Sequence, residues 1–232
     1  ENIAAVKDQY EIEALKTAIE ITDYTFTKII PEIKSGVTEQ QISAKISYLF
    51  KMNGAEGDSY DSIIASGPNS ALPHARPTNR KLTKGDFIVM DFGALYNGYH
   101  ADMTRTLLIG PATAKHKEIY NIVLKSQLNG IRVAKADISC AAVDQACRSI
   151  IDQNGYSKFF NHSTGHGIGL EVHTLPRIHK SNNELLKNNH VITIEPGIYL
   201  PDWGGVRIED DCLITKDKCL PLNKSTKELI II

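Results

Sequence analysis

Apolar residues recur at helical spacing in two consecutive segments near the start of the chain. Asp8 and Glu11 form an N-terminal capping signal, and apolar residues follow at three- and four-residue intervals as far as Pro31. Further along, Thr38 and Gln41 form a capping box in front of a second apolar stripe. The pattern therefore predicts a long amphipathic helix followed by a shorter one.

Two later apolar runs have the length and composition of strands. They are Phe87–Asp91 and Met103–Ile109, and the Asn-Gly pair at 97–98 between them favours the left-handed backbone of a tight turn. These features predict a hairpin that carries Asp91 and Asp102.

The second half of the chain repeats this order of elements. Apolar residues from Ile119 to Ile131 mark a long helix, and Ser139 can cap the next one. The runs Val191–Glu195 and Val206–Ile214 are then predicted to form a second hairpin, which carries Glu195 and Glu209.

The helix signals of the two halves match at one constant offset. Thr38, Ile42 and Ile46 precede Ser139, Val143 and Cys147 by the same number of positions. No linker rich in glycine, serine or proline separates the halves. We therefore predict two pseudo-symmetric halves, about 1–110 and 111–232, within a single domain.

Composition narrows the classes of function. The chain has 232 residues, 42% of them hydrophobic and 23% charged, and its net charge is -1. A near-neutral chain without a basic run predicts no nucleic-acid partner and no anionic membrane partner. No apolar stretch approaches the ~20 residues of a membrane span. Small molecules or peptides are the expected partners.

The four cysteines form no C-x-x-C pair. They are Cys140, Cys147, Cys212 and Cys219. Their spacing is typical of buried, reduced thiols rather than of a disulfide framework, which favours a cytoplasmic location.

Five side chains that bind metals well lie in strand-like or glycine-rich segments. They are Asp91, Asp102, His166, Glu195 and Glu209. A single acidic residue on a strand is more often a solvated surface charge, and a histidine among glycines can be an ordinary turn residue. However, Asp91 and Glu195 each end a buried-type apolar run, and a buried charge needs a partner. The set indicates two divalent ions that activate a water near neutral pH, as in a two-metal hydrolase.

Six motifs together resemble the pita-bread metallopeptidases, and within them the branch of aminopeptidase P and prolidase (Xaa-Pro dipeptidase). The motifs are Ser66–His74, Asp91–Gly93, Ala101–Arg105, His162–Gly169, Glu195–Gly197 and Val206–Asp210. The resemblance covers essentially the whole chain and implies an α+β fold of the creatinase/aminopeptidase type. In that fold, two pseudo-symmetric α/β halves surround a curved antiparallel sheet.

The resemblance also implies the domain organisation. Members of the branch usually carry an additional amino-terminal domain, and the residues before Asp8 are too few to form one. We therefore expect residues 1–232 to be the catalytic domain alone. A homodimer is expected for the full-length protein.

The resemblance assigns roles to the metal ligands. Asp91 would chelate one ion, Asp102 and Glu209 would bridge both ions, and His166 and Glu195 would complete the other side. Carboxylates can bridge two cations, whereas a neutral imidazole binds one. Manganese is expected, with cobalt or zinc as alternatives.

Four further residues would form the rest of the pocket. By resemblance, His74 and His173 flank the scissile bond, His162 lines the substrate side, and Arg207 reaches the substrate or the developing oxyanion. Taken alone, each histidine could be a solvated loop residue, and Arg207 could form a surface ion pair. Arg207 and Glu209 are two apart on a predicted strand, so we expect the guanidinium to lie beside the metal-binding carboxylate.

The implied reaction is hydrolysis of an N-terminal Xaa-Pro peptide bond by a metal-bridged hydroxide. Glu195 would transfer the proton, His173 and Arg207 would stabilise the tetrahedral intermediate, and His74 could assist departure of the amine. Thr174 stands where many family members carry a glutamate, which leaves the preference for the leaving residue open. A methionine aminopeptidase-like enzyme and a non-catalytic peptide-binding module are the alternatives.

Overall fold

A computed structural model describes the backbone of residues 2–232 and the side chains of residues 3–232. Five α-helices are present in this part of the chain. They are α1 (Asn2–Ala5), α2 (Gln9–Ile29), α3 (Glu39–Met52), α4 (Ala114–Val133) and α5 (Cys140–Gln153). Within residues 2–232, no helix combines the length and the apolar character that a membrane span requires.

The predicted helix starts are confirmed. Asp8 and Glu11 form a reciprocal capping box on α2, as do Thr38 and Gln41 on α3. The Ser139 hydroxyl accepts the amide of Ala142 at the start of α5. These caps satisfy amides that the helices themselves leave unbonded, so the local sequence sets each start.

Thirteen strands are found among the described residues. They are β1 (Gly57–Asp58), β2 (Ile63–Ser66), β3 (Phe87–Phe92), β4 (Ala94–Tyr96), β5 (Tyr99–His100), β6 (Met103–Leu108), β7 (Gly165–Gly167), β8 (Thr174–Ile178), β9 (Val191–Ile194), β10 (Gly197–Leu200), β11 (Gly204–Arg207), β12 (Asp210–Ile214) and β13 (Cys219–Pro221). All of the strand pairings are antiparallel.

Two sheets form the centre of the molecule. One has the order β2-β3-β6 and the other β13-β12-β9-β7-β8, while β10-β11 and β1-β4-β5 form smaller ribbons. Helices α2 and α3 pack on the first sheet through residues such as Ile46, Phe50 and Phe92. Helices α4 and α5 contribute to the clusters that cover the second sheet, as with Cys147 against Ile194. Each sheet thus buries an apolar face under a pair of helices.

The first predicted hairpin is confirmed with an extension. Strands β3 and β6 pair from Phe87 with Leu108 to Phe92 with Met103, and the chain continues past Phe92 into the β4-β5 ribbon. Asn97 and Gly98 adopt positive φ at the tip of that ribbon.

The second predicted hairpin is confirmed with a break. Val191–Ile194 (β9) pairs with β12 at the far end of the predicted Val206–Ile214 run, and β10 pairs with β11 nearer the turn. The break falls at Glu195-Pro196 on one side, where proline lacks an amide hydrogen, and at Ile208-Glu209 on the other. The Glu209 amide instead donates to the carbonyl of Thr104 in β6, at 3.1 Å. This contact joins the two sheets where the candidate site lies.

The four cysteines are free and buried, as predicted. All four lie in the apolar cluster between α5 and the second sheet, which includes Val143, Ile192 and Ile194. Burial raises the pKa of the Cys147 thiol, so this sulfur acts as a small apolar core group.

Candidate active site

All nine side chains singled out from the sequence line one cleft of about 1100 Å³. They are His74, Asp91, Asp102, His162, His166, His173, Glu195, Arg207 and Glu209. Only Asp91, His166 and Arg207 lie within strands, in β3, β7 and β11 respectively. The other predicted ligands lie at strand ends, where side chains from both sheets can converge.

His166 faces two of the carboxylates with a ring nitrogen that carries no proton. Its Nδ1 contacts the carbonyl oxygen of Gly167 at 3.0 Å, and a carbonyl can only accept, so Nδ1 holds the proton. Its Nε2 lies 3.6 Å from Asp102 Oδ2 and 3.5 Å from Glu195 Oε1. Burial lowers the pKa of His166 to about 4, so the ring is neutral near pH 7. A lone pair that points at carboxylate oxygens is suited to a cation placed between them.

Asp102, His166 and Glu209 each offer one ligand atom, and these atoms lie within 4.8 Å of one another. The pKa of Asp102 is raised mainly by burial and next by the charge of Asp91. The pKa of Glu209 is raised mainly by burial and next by the charge of Asp102. Within residues 2–232, no group bonds the buried Oε1 of Glu209. Crowded carboxylates, an unbonded oxygen and a neutral imidazole fit a divalent cation, which would supply the missing positive charge.

Tyr60 connects two of the candidate ligands and was missed from the sequence. Its hydroxyl bonds both Asp91 and Asp102. Burial and the neighbouring charge of Asp102 raise the pKa of Tyr60, so the phenol keeps its proton. Nothing in the sequence distinguishes this tyrosine from an ordinary apolar position, because it acquires its partners only when β3 and the start of β6 come together.

Arg207 lies near Glu209 as expected, but the two are joined through Thr104 rather than by a direct ion pair. The strand breaks between these residues, and the guanidinium Nη2 instead lies 2.5 Å from Asp91 Oδ2. Thr104 joins the two sides, because it accepts from Arg207 Nε at 3.0 Å and donates to Glu209 Oε2 at 2.5 Å. Thr104 lies two positions after Asp102, and residues two apart in an extended segment share a face. This spacing could have identified Thr104 from the sequence.

A chain of hydrogen bonds fixes Arg207 and His162. Arg207 Nη1 donates to the Tyr199 oxygen at 2.8 Å, and the Tyr199 hydroxyl donates to His162 Nε2 at 2.9 Å. His162 Nδ1 then donates to the Ser163 carbonyl at 2.8 Å. Burial and the nearby charge of Arg207 lower the pKa of His162 to about 3. His162 is therefore neutral, and both of its ring nitrogens are used within the protein.

His74 and His173 approach the cleft from different loops. His74 follows the short 3-10 turn Gly67–Ala71, and His173 directly precedes β8. The ring centroid of His173 lies 4.4 Å from that of His166. Burial lowers the pKa of His173. Arg177, four residues after His173, also lines the cleft and adds a positive charge near the rings of His166 and His173.

The raised pKa of Glu195 predicts a pH-dependent instability of the metal-free protein. Mainly because of burial, this carboxyl group binds its proton with a pKa of about 7, against 4.5 for an ordinary glutamate. The folded protein therefore binds this proton more tightly than the unfolded chain does, and the resulting stabilisation is fully present below pH 4.5. It is lost as the pH rises through 7, which lowers the free energy of unfolding by on the order of 3 kcal/mol. In chelator-treated protein, Glu195→Gln is therefore expected to raise the Tm at pH 8 and to leave it nearly unchanged at pH 5. Equal Tm differences at the two pH values, measured by calorimetry, would contradict this assignment.

Comparison with known proteins gives consistent matches. The model of metallopeptidase family M24 matches residues 13–216. An Xaa-Pro dipeptidase of Pyrococcus horikoshii is 47% identical over 225 residues, which are 97% of this chain and 64% of the relative. An Xaa-Pro dipeptidase of Pyrococcus furiosus is 45% identical over 229 residues, 99% of this chain and 66% of the relative.

Solved structures agree with these matches. The prolidase from Pyrococcus furiosus superposes with a TM-score of 0.96 at 45% identity, over 97% of this chain and 67% of that one. An Xaa-Pro dipeptidase from Bacillus anthracis gives a TM-score of 0.99 at 43% identity, over 100% of this chain and 65% of that one. The chain thus spans slightly less than two thirds of the length of the two curated relatives.

Proposed function

Because this chain belongs to metallopeptidase family M24, we propose that it is a dinuclear-metal peptidase that hydrolyses the N-terminal Xaa-Pro bond of dipeptides or short peptides. The fold is the expected α+β pita-bread fold, since prolidase structures superpose on nearly the whole chain. We propose that its two pseudo-symmetric halves are about 1–110 and 111–232.

One observation carries the proposal. Four carboxylates from two sheets line one cleft with His166, whose unprotonated nitrogen lies within 3.6 Å of two of them, and the cleft is large enough for a short peptide. Buried carboxylates at this density destabilise a protein unless a cation compensates them, so a purely structural role does not explain the arrangement. The names of the relatives supply the substrate class, an Xaa-Pro peptide.

The proposed metal ligands are those expected from the sequence. Two divalent ions would be held by Asp91, Asp102, His166, Glu195 and Glu209. Divalent cations bound there would polarise the scissile carbonyl and lower the pKa of a water. We propose manganese, with cobalt and zinc as alternatives that such ligands also accept.

The remaining side chains bind the peptide and move protons. Glu195 would accept a proton from the attacking water and pass it to the leaving amine. His173 and Arg207 would stabilise negative charge on the carbonyl oxygen, and His74 would assist departure of the amine. His162 has no free ring nitrogen, so it would contact the substrate with its ring.

A substrate panel tests the function. Protein treated with chelator and then supplied with manganese or cobalt would be assayed on Xaa-Pro and Met-Ala peptides. Hydrolysis of Xaa-Pro that depends on the metal supports the proposal. A preference for Met-Ala would favour the methionine aminopeptidase-like alternative, and binding without hydrolysis of either peptide would favour the recognition module.

A further inference from the structure

The loop that presents His74 to the cleft has little regular structure of its own. It leaves the end of β2 at Ser66, passes through one 3-10 turn, and returns to the body of the protein at Thr78. The loop also supplies the Pro73 carbonyl, which accepts from Arg207 Nη1 at 3.2 Å. Its position therefore affects both His74, which is proposed to assist departure of the amine, and the guanidinium of Arg207.

A buried carboxylate joins the two ends of this loop. Glu39, in the first turn of α3, is 0% exposed. Its Oε1 accepts from the amide and the hydroxyl of Ser66, both at 2.7 Å. Its Oε2 accepts from the amide of Thr78 at 2.9 Å and from the hydroxyl at 2.6 Å. Asn69 Nδ2 donates to Oε1 at 3.1 Å, from within the loop.

The surroundings of Glu39 require an acceptor at both oxygens. Five donor groups point at the carboxylate, and two of them are backbone amides that cannot reverse their role. The start of α3 strengthens the same contact, since the Gln40 amide donates to the carbonyl of Thr78 at 3.1 Å. Burying a charge is unfavourable unless its partners are well placed, so this clamp holds one loop geometry.

We infer that Glu39 is a positioning residue of the cleft, which fixes the loop between Ser66 and Thr78 so that His74 and the Pro73 carbonyl are correctly placed. The inference rests on the function proposed above, because His74 is assigned its role there. Glu39 does not line the cleft. It acts on the reaction through the loop, mainly through His74.

The test is a double-mutant cycle. Glu39→Gln puts an amide where one oxygen must accept two donors, and it is expected to lower kcat for Xaa-Pro hydrolysis roughly ten- to hundred-fold. The affinity for manganese should stay within about twofold, because no candidate ligand contacts Glu39. In a His74→Ala background, Glu39→Gln should lower kcat by less than about twofold, because residues that act as one unit are not additive. Thr78→Val is a milder variant for use if Glu39→Gln folds poorly.

The matched control is Asp144→Asn. Asp144 is another fully buried carboxylate on the second helix of its half, α5, and it accepts from Arg148 and Thr164 rather than from the His74 loop. Its effect on kcat should be as large with alanine at position 74 as with histidine. Equal effects of Glu39→Gln in the two backgrounds would overturn the inference.

Hydrogen exchange gives a readout that needs no activity. In metal-free protein, Glu39→Gln should speed amide exchange in residues 66–78 about tenfold and leave residues 160–167 unchanged, with the opposite pattern for Asp144→Asn. Unchanged exchange in residues 66–78 would overturn the inference. If the wild type hydrolyses nothing, the proposed function fails, while the exchange result still decides whether Glu39 holds the loop.

Discussion

Replacing Asp102 by asparagine is expected to abolish metal-dependent peptide hydrolysis while making the metal-free protein more stable. Asp102 is the candidate ligand with contacts to both sides of the cluster, through Tyr60 to Asp91 and by proximity to His166. Loss of one carboxylate of the proposed metal site should lower kcat/KM by about a thousand-fold or more, which corresponds to about 4 kcal/mol of transition-state stabilisation.

The opposite effect on stability follows from electrostatics. Burial and the charges around Asp102 raise its pKa well above the ordinary value, so the ionised carboxylate destabilises the metal-free fold. Asparagine has almost the same shape and can still accept the Tyr60 hydroxyl. In chelator at pH 8 the variant should therefore have a higher Tm than the wild type, and manganese should no longer raise that Tm.

The matched control is Asp58→Asn. Asp58 is half-buried and bonded to Ser47 at 2.5 Å, and it lines a neighbouring surface groove but not the cleft itself. This variant should keep both the activity and the rise in Tm on addition of manganese. A lower Tm for Asp102→Asn in chelator, or retained hydrolysis, would contradict the assignment of Asp102.

The sequence predicted the helices well because their signals are local. A capping box and an apolar stripe act within a few residues, so Thr38 and Gln41 mark the start of α3 without any information about the fold. The strands were predicted less well, because pairing depends on distant partners. Ile208 and Glu209 look like the continuation of β11, yet the Glu209 amide bonds β6 of the other sheet.

The same contrast applies to the candidate site. Asp91 and Glu195 could be identified because each directly follows a buried-type apolar run, and a buried charge needs a partner. Through motifs that resemble those of the family, Asp102, His166 and Glu209 could also be identified. The residues around them could not, since Tyr60 and Tyr199 look like ordinary core aromatics until the sheets assemble. Glu39 looks like a helix-capping acid, and only the path of the 66–78 loop shows why it is buried.

Replacing Arg105 by methionine is expected to cause the largest loss of stability of any substitution considered. Its guanidinium is 1% exposed and bonds Asp210 Oδ1 at 2.7 Å. It also donates to the carbonyls of Ser225 and Thr226, both at 3.0 Å, and to the carbonyl of Glu209. Methionine fills a similar volume but donates nothing, so acceptors from two segments, 209–210 and 225–226, lose a partner.

The expected cost is about 3 kcal/mol, the lower end of the range for breaking a buried ion pair. The cost is not larger because the Asp210 carboxylate still accepts hydrogen bonds from Lys227 Nζ at 2.6 Å and from Gln127 Nε2 at 2.9 Å. For a chain of this size the Tm should fall by roughly 6–12 °C. Arg132→Met is the control, since this exposed arginine on α4 bonds the amide oxygen of Asn129. Urea unfolding that gave the two variants equal stability would show that Lys227 and Gln127 suffice for Asp210, and that the guanidinium does not hold the C-terminal segment to the sheet.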